Sequence, residues 1–296
     1  MNAHSGDAAA AGAGQRVTVS SIRERKTSER PIAALTAYDY ASARLADEAG
    51  MDIILVGDSL AMVVLGYENT LPVTVDEMLH HMRAVARGAK RALLVADMPY
   101  MSYHASVEEA VRNAGRFVKE GGAQAVKIEG GRKRLPAVRA ILDAEVPVMG
   151  HIGLTPQSLH RMGGYKVQGR VPPEAQALLD DARALEEAGI FSLVLEGMPR
   201  ELACDITRAV SIPTIGIGAG PGCGGQILVF HDVLGLCEGN SPKFARRYLK
   251  GFSVMKEALE RYAEDVRAGK FPSDDESYHS PKGAPLRFPA RRETKR

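Results

Sequence analysis

Residues 53–58 read Ile-Ile-Leu-Val-Gly-Asp, a short apolar run that closes on an acidic side chain. The same pattern recurs at 93–97 (Leu-Leu-Val-Ala-Asp), 125–129 (Ala-Val-Lys-Ile-Glu) and 193–196 (Leu-Val-Leu-Glu). A carboxylate at the end of a buried strand is costly unless it has a partner. Carboxylates at equivalent positions of four strands therefore indicate one shared site. The pattern predicts a parallel α/β enzyme whose chemistry lies at the carboxyl ends of its strands.

Similar apolar runs continue on both sides of these segments, and helical segments separate most of them. Strands are predicted at 31–36, 52–56, 92–96, 125–128, 146–150, 192–195, 212–217 and 226–230. Helices are predicted at 39–48, 74–87, 106–120, 135–143, 172–188, 201–210 and 242–266. Strands that alternate with helices favour a parallel sheet, and at this length a closed (β/α)8 TIM barrel is the favoured arrangement. A doubly wound open sheet is the alternative.

The chain divides into one domain and two tails. Residues 1–15, rich in Ala and Gly, are expected to be a flexible tail, and residues 16–268 the barrel, a single catalytic domain. Within it, 16–30 is expected to pack a short helix on one end of the core, and 154–171 to be a long loop. Residues 269–296, rich in Pro, Ser and charge, are expected to be an irregular tail.

Composition excludes several classes of partner. The 296 residues are 45% hydrophobic and carry a net charge of +2, which gives no argument for nucleic acid or an acidic membrane surface. The chain has no Trp, and its 3 cysteines lack a zinc-like spacing. No signal peptide or membrane-spanning run is evident, so we expect a cytoplasmic protein without a membrane or nucleic-acid partner.

Asp58, Asp97 and Glu129 close three consecutive predicted strands, so a barrel would bring them to one mouth. Oxygen ligands on one side, with room for water, suit Mg²⁺. The absence of a His-rich or Cys-rich cluster argues against zinc. The alternative is that each carboxylate caps the following helix or pairs with a nearby Lys or Arg.

Lys127 and Glu196 complete the candidate site. Lys127 lies two residues before Glu129 and therefore points to the same face, where it can bind a substrate carboxylate or hold the acids in an internal salt bridge. Glu196 is expected across the barrel from the metal cluster as a partly desolvated general base. Its alternative role is a helix N-cap, for which Glu is a poor residue.

Two further segments leave their interpretation open. His151 follows the fifth predicted strand and can donate to a substrate oxygen or serve as a structural histidine. The glycine-dense stretch 216–225 contains Gly-x-Gly-x-x-Gly, but a strand-like segment follows it where a dinucleotide fingerprint requires a helix. Two explanations for the glycines remain: close approach of the backbone to a ligand, or a tight loop at the mouth.

Several long motifs resemble the ketopantoate hydroxymethyltransferase family, and the resemblance covers residues 17 to 265. The matching segments are 35–39 (LTAYD), 56–60 (VGDSL), 70–74 (TLPVT), 96–103 (ADMPYMSY), 126–131 (VKIEGG), 150–158 (GHIGLTPQS), 163–170 (GGYKVQGR) and 215–220 (IGIGAG). Two departures are Ala61, where a Gly is usual, and 221–225 (PGCGG), which replaces a more polar loop.

The resemblance implies a reaction and a set of roles. The family transfers a hydroxymethyl group from 5,10-methylenetetrahydrofolate to 3-methyl-2-oxobutanoate, giving 2-dehydropantoate through a Mg²⁺-stabilised enolate in pantothenate and coenzyme A biosynthesis. Its pattern implies that Asp58, Asp97 and Glu129 hold one Mg²⁺ per subunit and that Glu196 accepts the proton. It also implies that Asp58, Ser59, Asp97 and Lys127 contact the 2-oxo acid, in a cytoplasmic homo-oligomer, often a decamer.

Two other functions compete with this one. A Mg²⁺-dependent C–C lyase of the isocitrate lyase and phosphoenolpyruvate mutase type would share the barrel and the acidic site, but it usually carries a reactive loop cysteine. Cys204 and Cys223 lie outside the region expected for it. A non-enzymatic protein that binds 2-oxo acids or metal would need no general base at Glu196.

Overall fold

The computed structural model describes residues 15–28, 30–237, 239 and 242–280. Most of the predicted N-terminal tail and the end of the predicted C-terminal tail lie outside these residues. The chain forms two compact units, one that ends at Leu249 and one that begins at Lys250. The predicted barrel domain, 16–268, extends across both.

The first unit contains a closed barrel of eight parallel strands in sequential order, with β1 hydrogen-bonded to both β2 and β8. The (β/α)8 prediction is confirmed, because an open doubly wound sheet would leave these edges unpaired. The strands are β1 (Ile32–Thr36), β2 (Ile53–Val56), β3 (Leu93–Asp97), β4 (Ala125–Glu129), β5 (Val148–Gly153), β6 (Ser192–Glu196), β7 (Thr214–Ile217) and β8 (Gly225–Leu228).

Helices follow most strands, and four of those described begin at a side-chain N-cap: Thr18, Asp39, Thr74 and Ser106. Thr74 Oγ1 accepts from Glu77 N at 3.2 Å while Glu77 Oε2 accepts from Thr74 N at 2.8 Å, which forms a capping box. The helices are α1 (Val19–Glu24), α2 (Tyr40–Glu48), α3 (Leu60–Val63), α4 (Val75–Gly88), α5 (Val107–Lys119), α6 (Leu135–Asp143), α7 (Leu159–Met162), α8 (Pro172–Ala188), α9 (Arg200–Ala209), α10 (Phe230–Leu234) and α11 (Gly251–Arg267).

The core has an inner and an outer layer, because the central strands are buried on both faces. Ile53, Leu93 and Met149 belong to the packed interior of the barrel, whereas Ile54 and Leu94 pack in the layer shared with the helices. This explains why these strands show apolar runs instead of an alternating pattern.

The predicted helix at 16–30 lies against the amino-terminal end of the barrel. Ile22 of α1 is buried with the interior residues, and Val17 N donates to Arg91 O at 2.7 Å just before β3. The opposite end of the barrel, where the strands close on acidic residues, is therefore the candidate location of the active site.

Several predicted bounds are wrong for identifiable reasons. β5 continues to Gly153, beyond the glycine at 150 that was expected to end it, because it pairs with β6 through Gly153 and Glu196. β8 ends at Leu228, since Phe230 N donates to Thr36 Oγ1 at 2.9 Å and begins α10. The predicted 154–171 loop contains α7.

The last predicted helix also starts later than expected, at Gly251 instead of 242. Lys243, Arg246 and Arg247 lie in the intervening segment. Positive charge at a helix N-terminus opposes the macrodipole, so this segment is a poor first turn. In the part of the chain that the structure describes, no helix is both long and apolar enough to cross a membrane.

The contact between α2 and α4 gives a prediction about stability. A Cβ at Gly88 would lie 2.6 Å from Tyr40 O and 2.9 Å from Ala43 Cβ, whereas a Cβ at Gly115, inside α5, would meet nothing within 4 Å. Gly88→Ala is expected to destabilise by about 1–3 kcal/mol through overpacking. Gly115→Ala is the matched control and is expected to stabilise by about 0.5–1 kcal/mol. Urea unfolding checks both signs, and equal effects would contradict this packing.

Candidate active site

The acidic residues at the strand ends converge on one cavity at the mouth of the barrel. Asp58 follows β2, Asp97 and Glu129 end β3 and β4, and Glu196 ends β6; all four line the cavity. The first three are buried, whereas the Glu196 side chain is 14% exposed. Ser59 and Lys127, also predicted from the sequence, line the same cavity.

Lys127 forms a buried ion pair with Asp97. The two residues are register partners on β4 and β3, and Lys127 Nζ lies 2.7 and 2.8 Å from the two carboxylate oxygens. It also lies 3.7 Å from Glu129 Oε1. Burial alone would lower the pKa of Lys127, but the charges of Asp97, Glu129 and Asp58 outweigh it and raise the pKa. Lys127 is therefore the cation that the internal salt-bridge interpretation required.

The carboxylates that line the cavity outnumber the cations that face them, Lys127 and a protonated His151. Burial, followed by repulsion from Asp97 and Glu129, raises the pKa of Asp58 well above its usual range, against the opposing effect of Lys127. The pKa of Asp97 is also raised, first by burial, even though Lys127 lowers it. The site as built from protein groups alone therefore carries an unfavourable excess of negative charge.

This donor set fits a hard divalent cation. Among the described residues, no group of three or more His, Cys, Asp or Glu side chains is already arranged as a metal cluster. Mg²⁺ does not require one, because it commonly uses one or two protein carboxylates and completes its shell with water and substrate oxygens. Asp58, where the excess of negative charge is felt most directly, supplies the oxygen chemistry that such an ion needs.

Gln157, which the sequence reasoning missed, ties three of these elements together. Its Nε2 donates to Asp58 Oδ2 and to Met98 O, both at 2.9 Å, and its backbone N donates to Glu129 Oε2 at 3.0 Å. Its Oε1 accepts from Tyr103 OH at 2.6 Å. The signal that could have found Gln157 is its place in the motif at 150–158, directly after β5.

His151 lies between the two acidic parts of the site. Its Nδ1 is 3.5 Å from Glu129 Oε1 and its Nε2 is 3.2 Å from Glu196 Oε2, and because neither contact is aligned as a hydrogen bond, the pairing is electrostatic. Burial and Lys127 lower the pKa of His151, but pairing with Glu129 and Glu196 raises it to about 9. In the free protein, His151 is thus an imidazolium between carboxylates.

Glu196 lies across the barrel from Asp58, as expected, because β6 is four strands from β2 in the closed barrel, and it is also linked to the near end of the acidic cluster. It stands on β6, and His151 of β5 links it to Glu129 of β4. Its backbone is held on both sides, because Leu154 N donates to Glu196 O at 2.8 Å and Gly197 N donates to Ile217 O at 2.9 Å. A Cβ at Gly153, whose φ is +96°, would lie 2.2 Å from Glu196 O, so only glycine allows this approach.

The remaining cavity wall combines a hydroxyl pair with an apolar surface. Ser59 Oγ lies 2.8 Å from Tyr38 OH, which is buried behind it. Val194, Ile217 and Ile227 also line the cavity. This arrangement can bind a small anion with an alkyl group, place a carboxylate base beside it and keep water from part of it.

Comparison with known sequences identifies relatives over nearly the whole chain. Residues 16–274 match the profile of the family described as ketopantoate hydroxymethyltransferase. A 3-methyl-2-oxobutanoate hydroxymethyltransferase of Koribacter versatilis is 60% identical over 269 residues, 91% of this chain and 91% of that protein. The protein of the same name from Pelobacter propionicus is 57% identical, over 90% of this chain and 98% of that one.

Comparison with solved structures shows the fold. A 2,3-dimethylmalate lyase, described as a member of the PEP mutase/isocitrate lyase superfamily, has a TM-score of 0.57 at 18% identity, over 88% of this chain and 91% of that one. A phosphonopyruvate hydrolase solved with oxalate and Mg²⁺ has a TM-score of 0.58 at 16% identity, over 87% of this chain and 92% of that one.

Proposed function

The chain belongs to the ketopantoate hydroxymethyltransferase family and is a hydroxymethyltransferase, and we propose that 5,10-methylenetetrahydrofolate donates the group that it transfers to 3-methyl-2-oxobutanoate. The C3–H bond of the acid breaks and a C3–CH₂ bond forms, while water supplies the hydroxyl oxygen and tetrahydrofolate leaves. The product is 2-dehydropantoate, which serves pantothenate and hence coenzyme A biosynthesis. The observation that carries the proposal is the meeting of a base, a lysine and buried carboxylates in one cavity.

Glu196 is the group that takes the C3 proton in this proposal. It is the most exposed of the four strand-end carboxylates, and it lines the cavity without an aligned hydrogen bond to His151. The imidazolium orients the carboxylate from the protein side. A carboxylate held in this way beside a bound acid is positioned for general base catalysis.

Asp58, Asp97 and Glu129 would hold one Mg²⁺ per subunit. When bound there, Mg²⁺ supplies positive charge that makes the C3 proton more acidic and stabilises the enolate. The protein's own contribution is the Lys127 ammonium, which is buried and charged close to the same place. A fixed charge in a dry site stabilises developing negative charge without reorganisation.

The walls of the cavity fit the two ends of the acid. Asp58, Ser59, Asp97 and Lys127 would contact its carboxylate and keto oxygens, directly or through the ion. Val194, Ile217 and Ile227 offer an apolar surface to its branched alkyl group.

A lyase reaction has less support than hydroxymethyl transfer. The lyase-type neighbours share the fold at 15–19% identity, whereas relatives named as hydroxymethyltransferases share 54–60% identity over about nine-tenths of this chain. Cys204 and Cys223 both lie outside the residues that line the cavity. The carboxylate of Glu196 in the cavity argues against a protein that merely binds acids, because a binding site needs no base.

The chain is also proposed to form a homo-oligomer, with the decamer of the resembling family as the expected assembly. Support comes from α11, where apolar residues at alternating spacings of three and four are exposed: Phe252, Met255, Leu259, Tyr262 and Val266. Such a stripe on one helix matches a second copy of itself. Light scattering on the purified chain should give a mass about ten times the 31.8 kDa of one chain, and a mass of 31.8 kDa would contradict the proposal.

Product formation tests the proposed function directly. The purified chain is incubated with 3-methyl-2-oxobutanoate, tetrahydrofolate, formaldehyde and Mg²⁺, and 2-dehydropantoate is followed by mass spectrometry. We expect product that disappears when EDTA is added and returns with Mg²⁺. Product formation that is independent of divalent cations would contradict the metal part of the proposal, and an absence of product would contradict the reaction itself.

A further inference from the structure

Thr70 has a buried hydroxyl that the described contacts leave unused. It lies between α3 and α4, lines the active-site cavity and is 2% exposed. Its Oγ1 has no hydrogen-bond partner among the residues that the structure describes. Leaving a buried hydroxyl unpaired is costly, so its natural partner is a molecule that enters the cavity.

Other hydroxyls of the cavity wall already have protein partners. Ser59 Oγ pairs with Tyr38 OH at 2.8 Å, and Thr36 Oγ1 accepts from Phe230 N at 2.9 Å. Thr70 is as buried as Thr36 and more buried than Ser59, but its hydroxyl has no partner among the described residues. Because Thr70 lines the cavity, a ligand bound there is the partner that the described residues leave open to this hydroxyl.

The chemistry of the proposed substrate fixes the direction of the bond. An ionised 2-oxo acid has carboxylate and keto oxygens that accept hydrogen bonds, and it has no donor. A hydroxyl that binds it must therefore donate. Thr70 also lies deep in the cavity, whereas Tyr165 at the rim is 52% exposed, so the small acid is the better occupant than the larger folate.

We propose that the Thr70 hydroxyl donates a hydrogen bond to an oxygen of the bound 2-oxo acid. The inference rests on the proposed function for the identity of the acid. Thr70 is then a binding residue whose hydrogen bond stabilises the bound acid equally in the ground state and in the transition state. Loss of such uniform binding raises KM and leaves kcat unchanged.

Thr70→Val tests this, because valine keeps the shape and removes the hydroxyl. We expect KM and the calorimetric Kd for 3-methyl-2-oxobutanoate to rise by about 10- to 100-fold, as for a lost hydrogen bond to a charged group. The kcat should change by less than about threefold, and the melting temperature should not fall, since no protein hydrogen bond is lost. Thr70→Ser should restore KM to within about threefold of wild type.

Ser192→Ala is the matched control. Its hydroxyl is also buried and without a partner among the described residues, but it does not line the cavity, so its removal should leave KM unchanged. An unchanged Kd for the acid in Thr70→Val, or a rise confined to KM for the folate, would overturn the inference. So would a drop in melting temperature with an unchanged KM. Because acid binding is measured without folate, wild-type chain that binds the acid but makes no product would contradict the reaction and not the role of Thr70.

Discussion

The Glu196→Gln variant is expected to turn over about 100- to 10,000-fold more slowly than the wild-type chain, the usual contribution of a general base. Glutamine has nearly the same shape and cannot accept the proton. The other partner of His151, Glu129, stays in place at 3.5 Å, so the cavity should persist. Calorimetric binding of 3-methyl-2-oxobutanoate should therefore be little changed while turnover falls.

Glu201→Gln is the matched control for this variant. Glu201 lies five residues further along, in the first turn of α9, with a side chain that is 78% exposed. It touches no part of the cavity described here, so its turnover should equal that of the wild type. A Glu196→Gln chain with wild-type turnover, or one that has lost acid binding to the same degree as turnover, would contradict the assignment of the base.

The Asp58→Asn variant is expected to be both inactive and more stable than the wild type when divalent cations are absent. Burial and repulsion from Asp97 and Glu129 make a carboxylate unfavourable at this position, whether it stays charged or takes up a proton. Asparagine removes this penalty and keeps an oxygen for Gln157. We expect a melting temperature in EDTA that is about 2 °C or more above wild type. Turnover with Mg²⁺ should fall by at least about 100-fold.

The gain in stability on Mg²⁺ binding separates the effect of the substitution on metal binding from its effect on the fold. Wild-type chain at about 100 times its Kd for Mg²⁺ should gain about 2.7 kcal/mol of stability, and Asp58→Asn should gain far less. Asp97→Asn is the contrasting variant, because it leaves buried Lys127 without its closest partner and should destabilise by about 3–5 kcal/mol. A loss of stability in EDTA for Asp58→Asn would contradict the claim that the excess of negative charge destabilises the metal-free site.

The fold could be predicted because the apolar runs that can be recognised in the sequence are also the strands of the barrel. Apolar runs such as Ile53–Val56 are buried on both faces of the barrel, and the acidic residues that close four of these runs lie at the mouth. The predicted ends of strands and helices were wrong where contacts between distant residues determine them. Phe230 is apolar and looks like part of a strand, yet its N–H is taken by Thr36 and it begins a helix.

The gathering of strand-end side chains could be predicted, but their partners could not. Periodicity places Lys127 beside Glu129, and the structure adds that Lys127 is bound to Asp97. The role of Gln157 depends on contacts with side chains 99 and 54 positions away in the sequence, which no local pattern reveals. The link from Glu129 through His151 to Glu196 likewise appears only when three adjacent strands are in register.

Exchange of the C3 proton of 3-methyl-2-oxobutanoate in D₂O, followed by NMR without folate, tests whether Glu196 and Mg²⁺ together generate the enolate. We expect exchange that requires Mg²⁺, survives in Glu201→Gln and disappears in Glu196→Gln. Exchange at the wild-type rate in Glu196→Gln, or exchange that persists in EDTA, would contradict it.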